Sequence, residues 1–498
     1  MLVIASDLHL NDGTTGQTVP TGAFELFASR VGELAVSASY RADGSYRPIE
    51  RIDIVLLGDV LDVIRSAHWL ADPAIRPWTD QTAPGYVELV DRIISEILQQ
   101  NEEGLAVLRA MSVQQGVHIP PATRAGRPDP SADGVPVPVR LHYMVGNHDW
   151  FLHVPGPAFD AIRQKVVRQM GLANRADRPF PHDMLESEEL LQTLRRHKVA
   201  ARHGDLFDPF NFEGDRAASS LGDALVIDLV NRFAAEVESQ LANELPAATV
   251  LGLREIDNIR PLVLVPVWID GLLERTCPFS SVRTMLRRVW DRLVDDFLSL
   301  DFVRAHDTWS PVDMVDGLSQ VLKFSKRMSI GWASAICTWF YKLRGAPDGS
   351  YYRHALGEQD FRNRRARHIV YGHTHVAEVV PLDASHAEGY VLNQLYFNAG
   401  TWRRIHRQTE MAPAEHEFIA SDVMTYLVFY QGDERKGRPY ETWSGTLGYN
   451  PQETTVHRID SGRTSHGAAL PSSVPVRQHG PHFSPGGARP ARYLERRG

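Results

Sequence analysis

The stretch RLHYMVGNHDW, residues 140–150, begins like a buried strand and ends in three adjacent polar side chains. Asn147, His148 and Asp149 place an amide, an imidazole and a carboxylate where the strand is expected to stop. Polar groups inside a sheet cost free energy unless they are paired or bind something. This stretch is therefore either an Asn/Asp turn or the point at which a strand delivers reactive groups to a site.

Other short apolar runs have the same strand-like character, because they are rich in β-branched residues and bounded by turn residues. We predict strands at LVIAS (2–6), IDIVLLG (52–58), RLHYMVG (140–146), KVAAR (198–202), HIVYG (368–372), QLYFNAG (394–400), MTYLVFYQ (424–431) and around 440–443. Helical periodicity lies between them at 86–100 and 159–171, and the second helix is expected to end at Gly171. Strands alternating with helices predict an α/β layered domain.

The overall composition restricts the class of protein. The chain has 498 residues, 43% of them hydrophobic, so it can bury a large core. Its formal charge is −8, and because proteins that bind nucleic acid are usually basic, nucleic acid is disfavoured as the main partner. The two cysteines, Cys277 and Cys337, are too few for a disulfide framework or a cysteine-rich zinc site.

The sequence predicts no targeting signal and no transmembrane segment. The first residues, MLVIASDLHL, lack a basic leader, and their apolar run stops at Asp7, which is too early for a signal peptide or a membrane span. No later apolar run reaches spanning length. We therefore expect a cytoplasmic protein that contacts a membrane only peripherally, if at all, while the oligomeric state is left open.

Three regions interrupt the alternation of strands and helices. Residues 1–205 and 366–460 are expected to form the two parts of the core, separated by a mostly helical insertion at 206–365. Residues 118–139, rich in Pro, Gly and Ala, are predicted to form a surface loop. The tail, 461–498, is rich in Gly, Pro, Ser, His and Arg and is predicted to be disordered.

The insertion contains apolar or amphipathic stretches at 224–237, 261–273, 285–300 and 333–341. One interpretation is a helical subdomain with its own core. The other is a cap that offers an apolar groove to an acyl chain or to a membrane surface.

Polar residues follow almost every predicted core strand. The motifs are SDLH, GDVLD, GNHD, RHGD and GHTH, which supply Asp7, His9, Asp59, Asp62, Asn147, His148, Asp149, His203, Asp205, His373 and His375. Because residues i and i+2 of a strand point to the same side, the paired residues of SDLH and of GHTH are each expected to face one direction. Sites in parallel α/β sheets lie beyond the carboxyl ends of the strands, so these clusters are expected to meet there.

Seven of these residues are oxygen or nitrogen donors that can bind metals: Asp7, His9, Asp59, Asn147, His203, His373 and His375. Mixed carboxylate and imidazole ligands suit Mn²⁺, Fe or Zn²⁺ better than Ca²⁺. Seven ligands are too many for one ordinary site but fit two divalent transition metals that share a carboxylate, about 3.5–4 Å apart. We expect Mn²⁺ in this pair, with Fe or Zn²⁺ as alternatives.

In this order, the motifs Asp-x-His, Gly-Asp-x-x-Asp, Gly-Asn-His-Asp, His-Gly-Asp and Gly-His-Thr-His resemble those of the calcineurin-like metallophosphoesterase superfamily, over residues 1–205 and 366–445. The resemblance implies a layered sandwich of two mixed sheets flanked by helices, with a large helical cap inserted. The insertion also resembles that of the UDP-diacylglucosamine pyrophosphohydrolases of lipid A synthesis. Those enzymes usually carry Arg where this chain has His148, and their insertion is much shorter.

The superfamily resemblance implies a role for each metal-binding residue. Asp7, His9 and His375 correspond to ligands of a first metal, Asn147, His203 and His373 to those of a second, and Asp59 to the bridging carboxylate. In the superfamily, the two metals hold a bridging hydroxide that attacks phosphorus.

Other motif residues correspond to the catalytic and supporting groups. His148 corresponds to the general acid near the leaving oxygen, and Asp149 is expected to orient its imidazole. Asp62 and Asp205 are expected to fix ligating histidines through hydrogen bonds. Outside the motifs, Asn398 is expected to be structural.

The expected function is metal-dependent hydrolysis of a phosphate monoester, a phosphodiester or a pyrophosphate. The substrate is a phosphoester, with an apolar or lipid part if the insertion is a cap. The alternative is a non-catalytic metal-bearing scaffold or binding protein on the same fold. Arg65, His68 and Trp69 either line the cleft or form a solvated loop anchored by the tryptophan.

Overall fold

The larger sheet is built around β1 (Leu2–Ala5), a strand whose four side chains are all buried. In a computed structural model of the chain, the described residues are 1–241, 245–260, 264–306, 318–319, 322, 350–387, 390–409 and 417–446, all within the compact unit Met1–Gly448. They form a mixed α/β structure in which mixed sheets are flanked by helices. The α/β class expected from the sequence is therefore confirmed.

Strands and helices alternate over much of the first part of the chain, whereas the described residues between 368 and 429 form a run of strands. The further strands are β2 (Ile52–Leu57), β3 (His118–Ile119), β4 (Val135–Pro136), β5 (Val139–Met144), β6 (Val199–Ala201), β7 (Ile259–Arg260), β8 (His368–Tyr371), β9 (Glu378–Ala387), β10 (Tyr390–Asn398), β11 (Arg404–Gln408), β12 (Phe418–Phe429) and β13 (Tyr440–Thr446). The α-helices are α1 (Thr21–Ala38), α2 (Tyr86–Gln100), α3 (Glu102–Val113), α4 (Pro157–Met170), α5 (Glu188–Arg196), α6 (Leu221–Ala224), α7 (Arg232–Leu241), α8 (Ala247–Arg254), α9 (Val265–Thr276), α10 (Ser280–Ser299), α11 (Asp301–Ala305), α12 (Tyr352–Ala355) and α13 (Gln359–Arg362). A π-helical segment, Leu225–Asn231, joins α6 to α7.

Two sheets carry the core. In the larger one, β5, β2 and β1 are parallel neighbours, and β12 pairs antiparallel with β1, β11 and β13. The smaller sheet has the order β6-β8-β10-β9, in which β6, β8 and β10 run parallel and β9 runs antiparallel. β3 and β4 form a separate pair inside 118–139, so the expected surface loop contains a small hairpin.

The two faces of β1 belong to two different apolar clusters. Val3 and Ala5 pack with residues of helices α1–α4, whereas Leu2 and Ile4 pack with residues of the smaller sheet such as Phe397. A strand that is buried on both faces has a continuous apolar sequence, which explains why LVIA shows no alternation. The smaller sheet therefore covers the face of the larger sheet that the helices leave open.

All the strands predicted from the sequence are present, and so are the helices at 86–100 and 159–171. The second of these helices ends at Gly171, whose φ of +71° lets its amide donate to the Val167 carbonyl. β9 and β11 escaped prediction because neither contains a long apolar run. β9 is also the edge strand of its sheet and contains Pro381, which is tolerated at such a position.

The insertion contains helices α6–α13 but also contributes a strand to the core. Its apolar side chains form a cluster of their own, which includes Phe233 and Trp290. β7 pairs in parallel with β11, with Ile259 opposite His406, and so extends the larger sheet. The predicted stretch 333–341 and the tail lie outside the described residues. Among the helices that the structure describes, none is both long and apolar enough to cross a membrane.

His368 in β8 is a buried imidazole surrounded by aromatic rings. It packs against Phe397, Phe429 and Tyr440, and neither of its ring nitrogens makes a hydrogen bond. Burial lowers the pKa of His368 to about 3, so the ring is neutral in the folded protein. The unfolded chain binds this proton at an ordinary pKa of about 6.5. The stabilisation is therefore complete above that pH and is lost as the pH falls toward the folded-state pKa.

Replacing His368 with Phe should make the protein less sensitive to acid. From pH ~6 to pH ~4, the unfolding free energy of the wild type should fall by about 2.5 kcal/mol more than that of the variant. Urea unfolding at both pH values measures the difference. His118→Phe, at an exposed position, is the control and should keep the wild-type pH dependence. Equal acid sensitivity of His368→Phe and the wild type would show that His368 does not titrate on unfolding.

Candidate metal centre

The five polar motifs meet at the carboxyl ends of parallel strands from both sheets. Asp7, Asp59 and Asn147 follow β1, β2 and β5 of the larger sheet, while His203 and His373 follow β6 and β8 of the smaller one. The backbone amide of His373 donates to Asp7 Oδ2 (3.0 Å), so a turn of one sheet is tied directly to a turn of the other. The structure thus brings together all the ligand-bearing turns expected from the sequence.

Most of the expected ligands lie in turns with left-handed backbone rather than in the strands themselves. The residues with positive φ are Asp7 (+55°), His9 (+50°), Asp59 (+51°), His373 (+67°) and His375 (+61°). Such conformations cost free energy for residues other than glycine and concentrate at functional sites. The strand-based expectation that the two histidines of GHTH face one direction is wrong, because the turn sends them to different groups.

The first group consists of Asp7, His9 and His375, whose potential ligand atoms lie within 4.8 Å of one another. His9 Nε2 and His375 Nε2 are 3.0 Å apart, and His375 Nε2 is 3.2 Å from Asp7 Oδ1. All three side chains are buried. The structure therefore assembles the residues expected at the first metal.

The second group consists of Asp59, His203 and His373, again with ligand atoms within 4.8 Å of one another. His203 Nε2 is 3.2 Å from Asp59 Oδ2. Asn147 is also buried and lines the same cleft as Asp59 and His373. These are the residues expected at the second metal.

Asp59 is shared between the two groups. Its Oδ1 accepts a hydrogen bond from the backbone amide of His148 (2.8 Å), which fixes the carboxylate. Its Oδ2 lies 3.8 Å from His9 Nε2 on one side and 3.2 Å from His203 Nε2 on the other. One oxygen is thus held by the protein, while the other lies between the two groups.

Glycines in the motifs allow this close approach. A Cβ atom on Gly146 would clash with Asp59 Oδ1 and with the His203 ring, and one on Gly372 would clash with Ser6 Oγ. The glycines of GNHD and GHTH are therefore required by packing between the turns.

Several buried atoms in the cluster have no hydrogen-bond partner. They are Asp7 Oδ1, Asn147 Oδ1 and His203 Nε2. Burial opposes a charged imidazole, yet Asp59 and Asp7 raise the pKa of His203 well above its ordinary value. Unpaired donor atoms and a surplus of carboxylate charge are what bound divalent cations would satisfy, so the residues fit a metal pair.

Of the four histidines expected to bind metal, His9, His203 and His373 are each held through the ring nitrogen that faces away from their group. His9 Nδ1 is 3.1 Å from Asp62 Oδ2, His203 Nδ1 is 2.9 Å from Leu57 O, and His373 Nε2 is 2.9 Å from Asp208 Oδ2. Such outer contacts fix the tautomer and the ring orientation of metal-binding histidines. The inner nitrogens are thereby directed at the two groups.

His375 is held differently. Its Nδ1 is 2.9 Å from Arg260 Nη2, on strand β7 of the insertion. Burial, followed by the Arg260 guanidinium, holds the pKa of His375 well below its ordinary value. A guanidinium can only donate, so in this arrangement the proton of the neutral ring is on Nε2. Metal binding through His375 Nε2 therefore requires Arg260 to give up this contact.

His148 lies beside the two groups and lines the cleft with a side chain that is 12% exposed. Its Nδ1 is 2.5 Å from Asp62 Oδ1. Burial works against its charge, but Asp62 and Asp59 raise the pKa of His148 to about 9. Asp62 therefore contacts the expected metal ligand His9 with one carboxylate oxygen and the expected acid His148 with the other.

Asp149 does not have the role expected from the sequence. Its carboxylate accepts hydrogen bonds from Gly146 N (2.6 Å), Val60 N (2.8 Å) and Tyr143 Oη (2.6 Å). Asp149 therefore stabilises the GNHD turn, and Asp62 rather than Asp149 orients the His148 imidazole.

Asp205 also differs from the expectation, because its carboxylate pairs with Arg216 and not with a ligating histidine. The residue that supports a histidine is Asp208, bonded to His373. The sequence contains a signal for it: GDLFD at 204–208 repeats the Gly-Asp-x-x-Asp spacing of GDVLD at 58–62. In both motifs the second Asp, Asp62 or Asp208, contacts a histidine of the centre on the side away from its ligand group.

The insertion lines a large part of the cleft. It contributes Asp208, Phe210, Asn211, Gly222, Leu225, Val226, Asp257 and Arg260. Apart from Asp208 in GDLFD and Leu225 and Val226 in the apolar stretch 224–237, these residues belong to no motif and escaped sequence analysis. Among the described residues, the cleft therefore combines Asp59, Asn147 and three histidines of the centre with Arg260 and a short apolar wall.

The loop after the second motif does not line the cleft. Trp69 is buried in the main core, His68 pairs with Glu96, and Arg65 is buried against Asp257. Asn398 donates to the Gly372 carbonyl (2.6 Å), which agrees with the structural role expected for it.

Neither the family models nor the curated proteins compared with this sequence give a match. The function is therefore inferred from the geometry of the site and from the order of its motifs.

Replacing Asp208 with Asn should weaken the binding of one metal ion and leave the binding of the other unchanged. The variant keeps the size of the side chain and an acceptor for the Phe210 amide, but it removes the charge that faces His373. Loss of an outer partner typically costs about 10–100-fold in metal affinity. Mn²⁺ titration with calorimetry measures both sites, and the exposed Asp215→Asn is the control. Two unchanged affinities would exclude Asp208 from the support of the centre.

Proposed function

We propose that this chain is a metal-dependent phosphoesterase that hydrolyses a phosphate monoester, a phosphodiester or a pyrophosphate. The observation that carries the proposal is the pair of neighbouring ligand groups, with Asp59 Oδ2 between His9 Nε2 and His203 Nε2 and with His148 beside them. The stacked mixed sheets, with the site at the carboxyl ends of their parallel strands, support the metallophosphoesterase fold that the motif order suggests.

Two divalent transition metals would be held by the ligand groups already described, with Mn²⁺ favoured over Fe or Zn²⁺. Asp59 would be the shared ligand, because its Oδ2 lies between His9 and His203. When bound, the metals supply Lewis-acid stabilisation of the phosphoryl oxygens and an activated water. Asp7 and Asn147 would bind through Oδ1, the atom of each that has no hydrogen-bond partner.

His148 would protonate the leaving oxygen. It lines the cleft, and Asp62 holds its Nδ1, so that Nε2 is the nitrogen available to a substrate. The same carboxylate fixes His9, which keeps the acid and the metal ligands in a constant relative position. A general acid in this place lowers the cost of releasing a basic alkoxide.

The insertion would take part in both chemistry and substrate choice. Asp208 supports His373, and Arg260 places a permanent positive charge in the cleft, where a phosphoryl group is bound. Phe210, Leu225 and Val226 supply an apolar wall next to these charges. The substrate would therefore carry an apolar portion close to its phosphate.

The first test measures metal content and hydrolysis together. Protein reconstituted with Mn²⁺ should hold about two ions per chain and hydrolyse a nitrophenyl phosphodiester. Asp59→Asn should lose affinity for both ions and activity together, whereas the exposed Asp80→Asn should lose neither. Two bound ions without hydrolysis of any monoester, diester or pyrophosphate would instead favour the metal-bearing scaffold.

The second test concerns the acid. His148→Ala should keep its metals but lower turnover of an alkyl phosphoester by about 10²–10⁴. The loss should be much smaller for a nitrophenyl ester, because nitrophenolate leaves without protonation. His118→Ala, on the surface, should behave as the wild type. Equal losses for both leaving groups would mean that His148 acts in another way, for example by holding the phosphoryl oxygens.

A further inference from the structure

Another cluster of potential metal ligands shares no residue with the groups around Asp59. His153, His182 and Glu186 have potential ligand atoms within 4.8 Å of one another. None of these residues belongs to the groups around Asp59, and none was singled out by a sequence motif. His153 ends the 3-10 turn Trp150–His153. His182 precedes the 3-10 turn Met184–Glu186, and Glu186 ends that turn.

Two members of this cluster, His153 and Glu186, each have one atom fixed by the protein and another left for a ligand. His153 Nδ1 donates to the Phe180 carbonyl (2.8 Å), so that Nε2 carries the lone pair. Glu186 Oε2 accepts from the backbone amides of His182 (2.9 Å) and Asp183 (3.4 Å), which leaves Oε1. A histidine held by a carbonyl through one nitrogen is the usual arrangement of a metal-binding imidazole.

The atoms that remain face each other without a hydrogen bond. His182 Nδ1 is buried and has no hydrogen-bond partner, although Glu186 Oε1 lies 3.0 Å away. The rings of His153 and His182 are perpendicular, with centroids 5.0 Å apart. When the His182 ring is neutral, its contact with Glu186 is not an ion pair, and a cation between the two imidazoles and the carboxylate would give the buried nitrogen a partner.

We propose that His153, His182 and Glu186 form a separate site for one Zn²⁺-type ion. Two imidazole nitrogens and one carboxylate oxygen are a ligand set that Zn²⁺ accepts, with water in the fourth position. The side chains of His182 and Glu186 are 25% and 36% exposed, so the ion can enter from solvent. The proposal does not depend on the phosphoesterase function.

The position of the cluster indicates a structural role for the ion. His153 ends the 3-10 turn that follows the GNHD turn, and the other two ligands follow Pro181, whose carbonyl accepts from the Val145 amide (2.9 Å). An ion at this site would tie the 3-10 turn that ends at His153 to the segment 181–186, which already contacts Val145. We therefore expect it to raise thermal stability and to leave the chemistry at the Asp59 centre unchanged.

A similar cluster elsewhere provides a contrast. Asp12, His68 and Glu96 also lie within reach of one ion. There both ring nitrogens of His68 are occupied, by Glu96 Oε2 (2.5 Å) and by Arg92 Nη2 (2.7 Å). An arginine beside the ring repels a cation, so this cluster serves as the matched control.

The test counts zinc ions in wild type, His182→Ala, Glu186→Gln and His68→Ala at the same buffered free Zn²⁺ concentration. Elemental analysis should find about one Zn²⁺ fewer per chain in the first two variants than in wild type and His68→Ala. The rise in Tm produced by Zn²⁺ should be smaller in the same two variants. Equal zinc content in His182→Ala, Glu186→Gln and wild type would overturn the proposal.

A measurement on the wild type alone keeps the test decisive if a variant does not fold. Crystals of the full chain equilibrated with the same Zn²⁺ should give an anomalous peak at the zinc edge between His153, His182 and Glu186. Density for zinc at the Asp59 centre with no peak at this cluster would also overturn the proposal.

Discussion

The burial of several carboxylates in one place is the constraint on which the rest of this structure depends. Burial alone would raise the pKa of Asp7, Asp59 and Asp62, but the surrounding histidines hold all three well below their ordinary values. Like charges so close together are tolerated only if positive charge stands between them. Imidazole protons supply part of that charge, and a pair of divalent cations would supply it more completely. The two sheets and their turns can pack as they do only while this balance is kept.

The same balance extends outward and ties the insertion to the core. Arg403 Nη1 lies 3.4 Å from Asp62 Oδ2 and 2.8 Å from Asp257 Oδ2, and Arg65 pairs with the same Asp257. Charges therefore alternate from His148 through Asp62 to a carboxylate of the insertion. Because these groups are buried, loss of one member leaves its neighbour as an uncompensated charge. The insertion is for this reason part of the centre and not a lid attached to a finished site.

The sequence predicted the strands that carry the site and the ligand-bearing motifs because each is a local pattern. β1, β2, β5, β6 and β8 are apolar runs, and each is followed by a polar motif. It did not predict which carboxylate reaches which histidine. Asp149 is adjacent to His148 in sequence, yet the left-handed turn at Asp59 brings Asp62 to the imidazole instead. Asp257 and Arg260 were missed because their positions depend on how the insertion folds back, which no local pattern records, whereas Asp208 has a local signal in GDLFD.

Left-handed backbone at Asp7, His9, Asp59, His373 and His375 links the fold to the proposed chemistry. Each such residue costs of order 1 kcal/mol or more, so five together are a considerable strain. The strain is maintained by strands whose side chains are buried on both faces. Under the proposed function, turns held in this way would position most of the ligand residues in advance, and preorganised charge is the largest single source of rate acceleration in many enzymes. The polar groups at the end of RLHYMVGNHDW are therefore stabilised by specific partners, Asp149 by the turn amides and Tyr143, and His148 by Asp62.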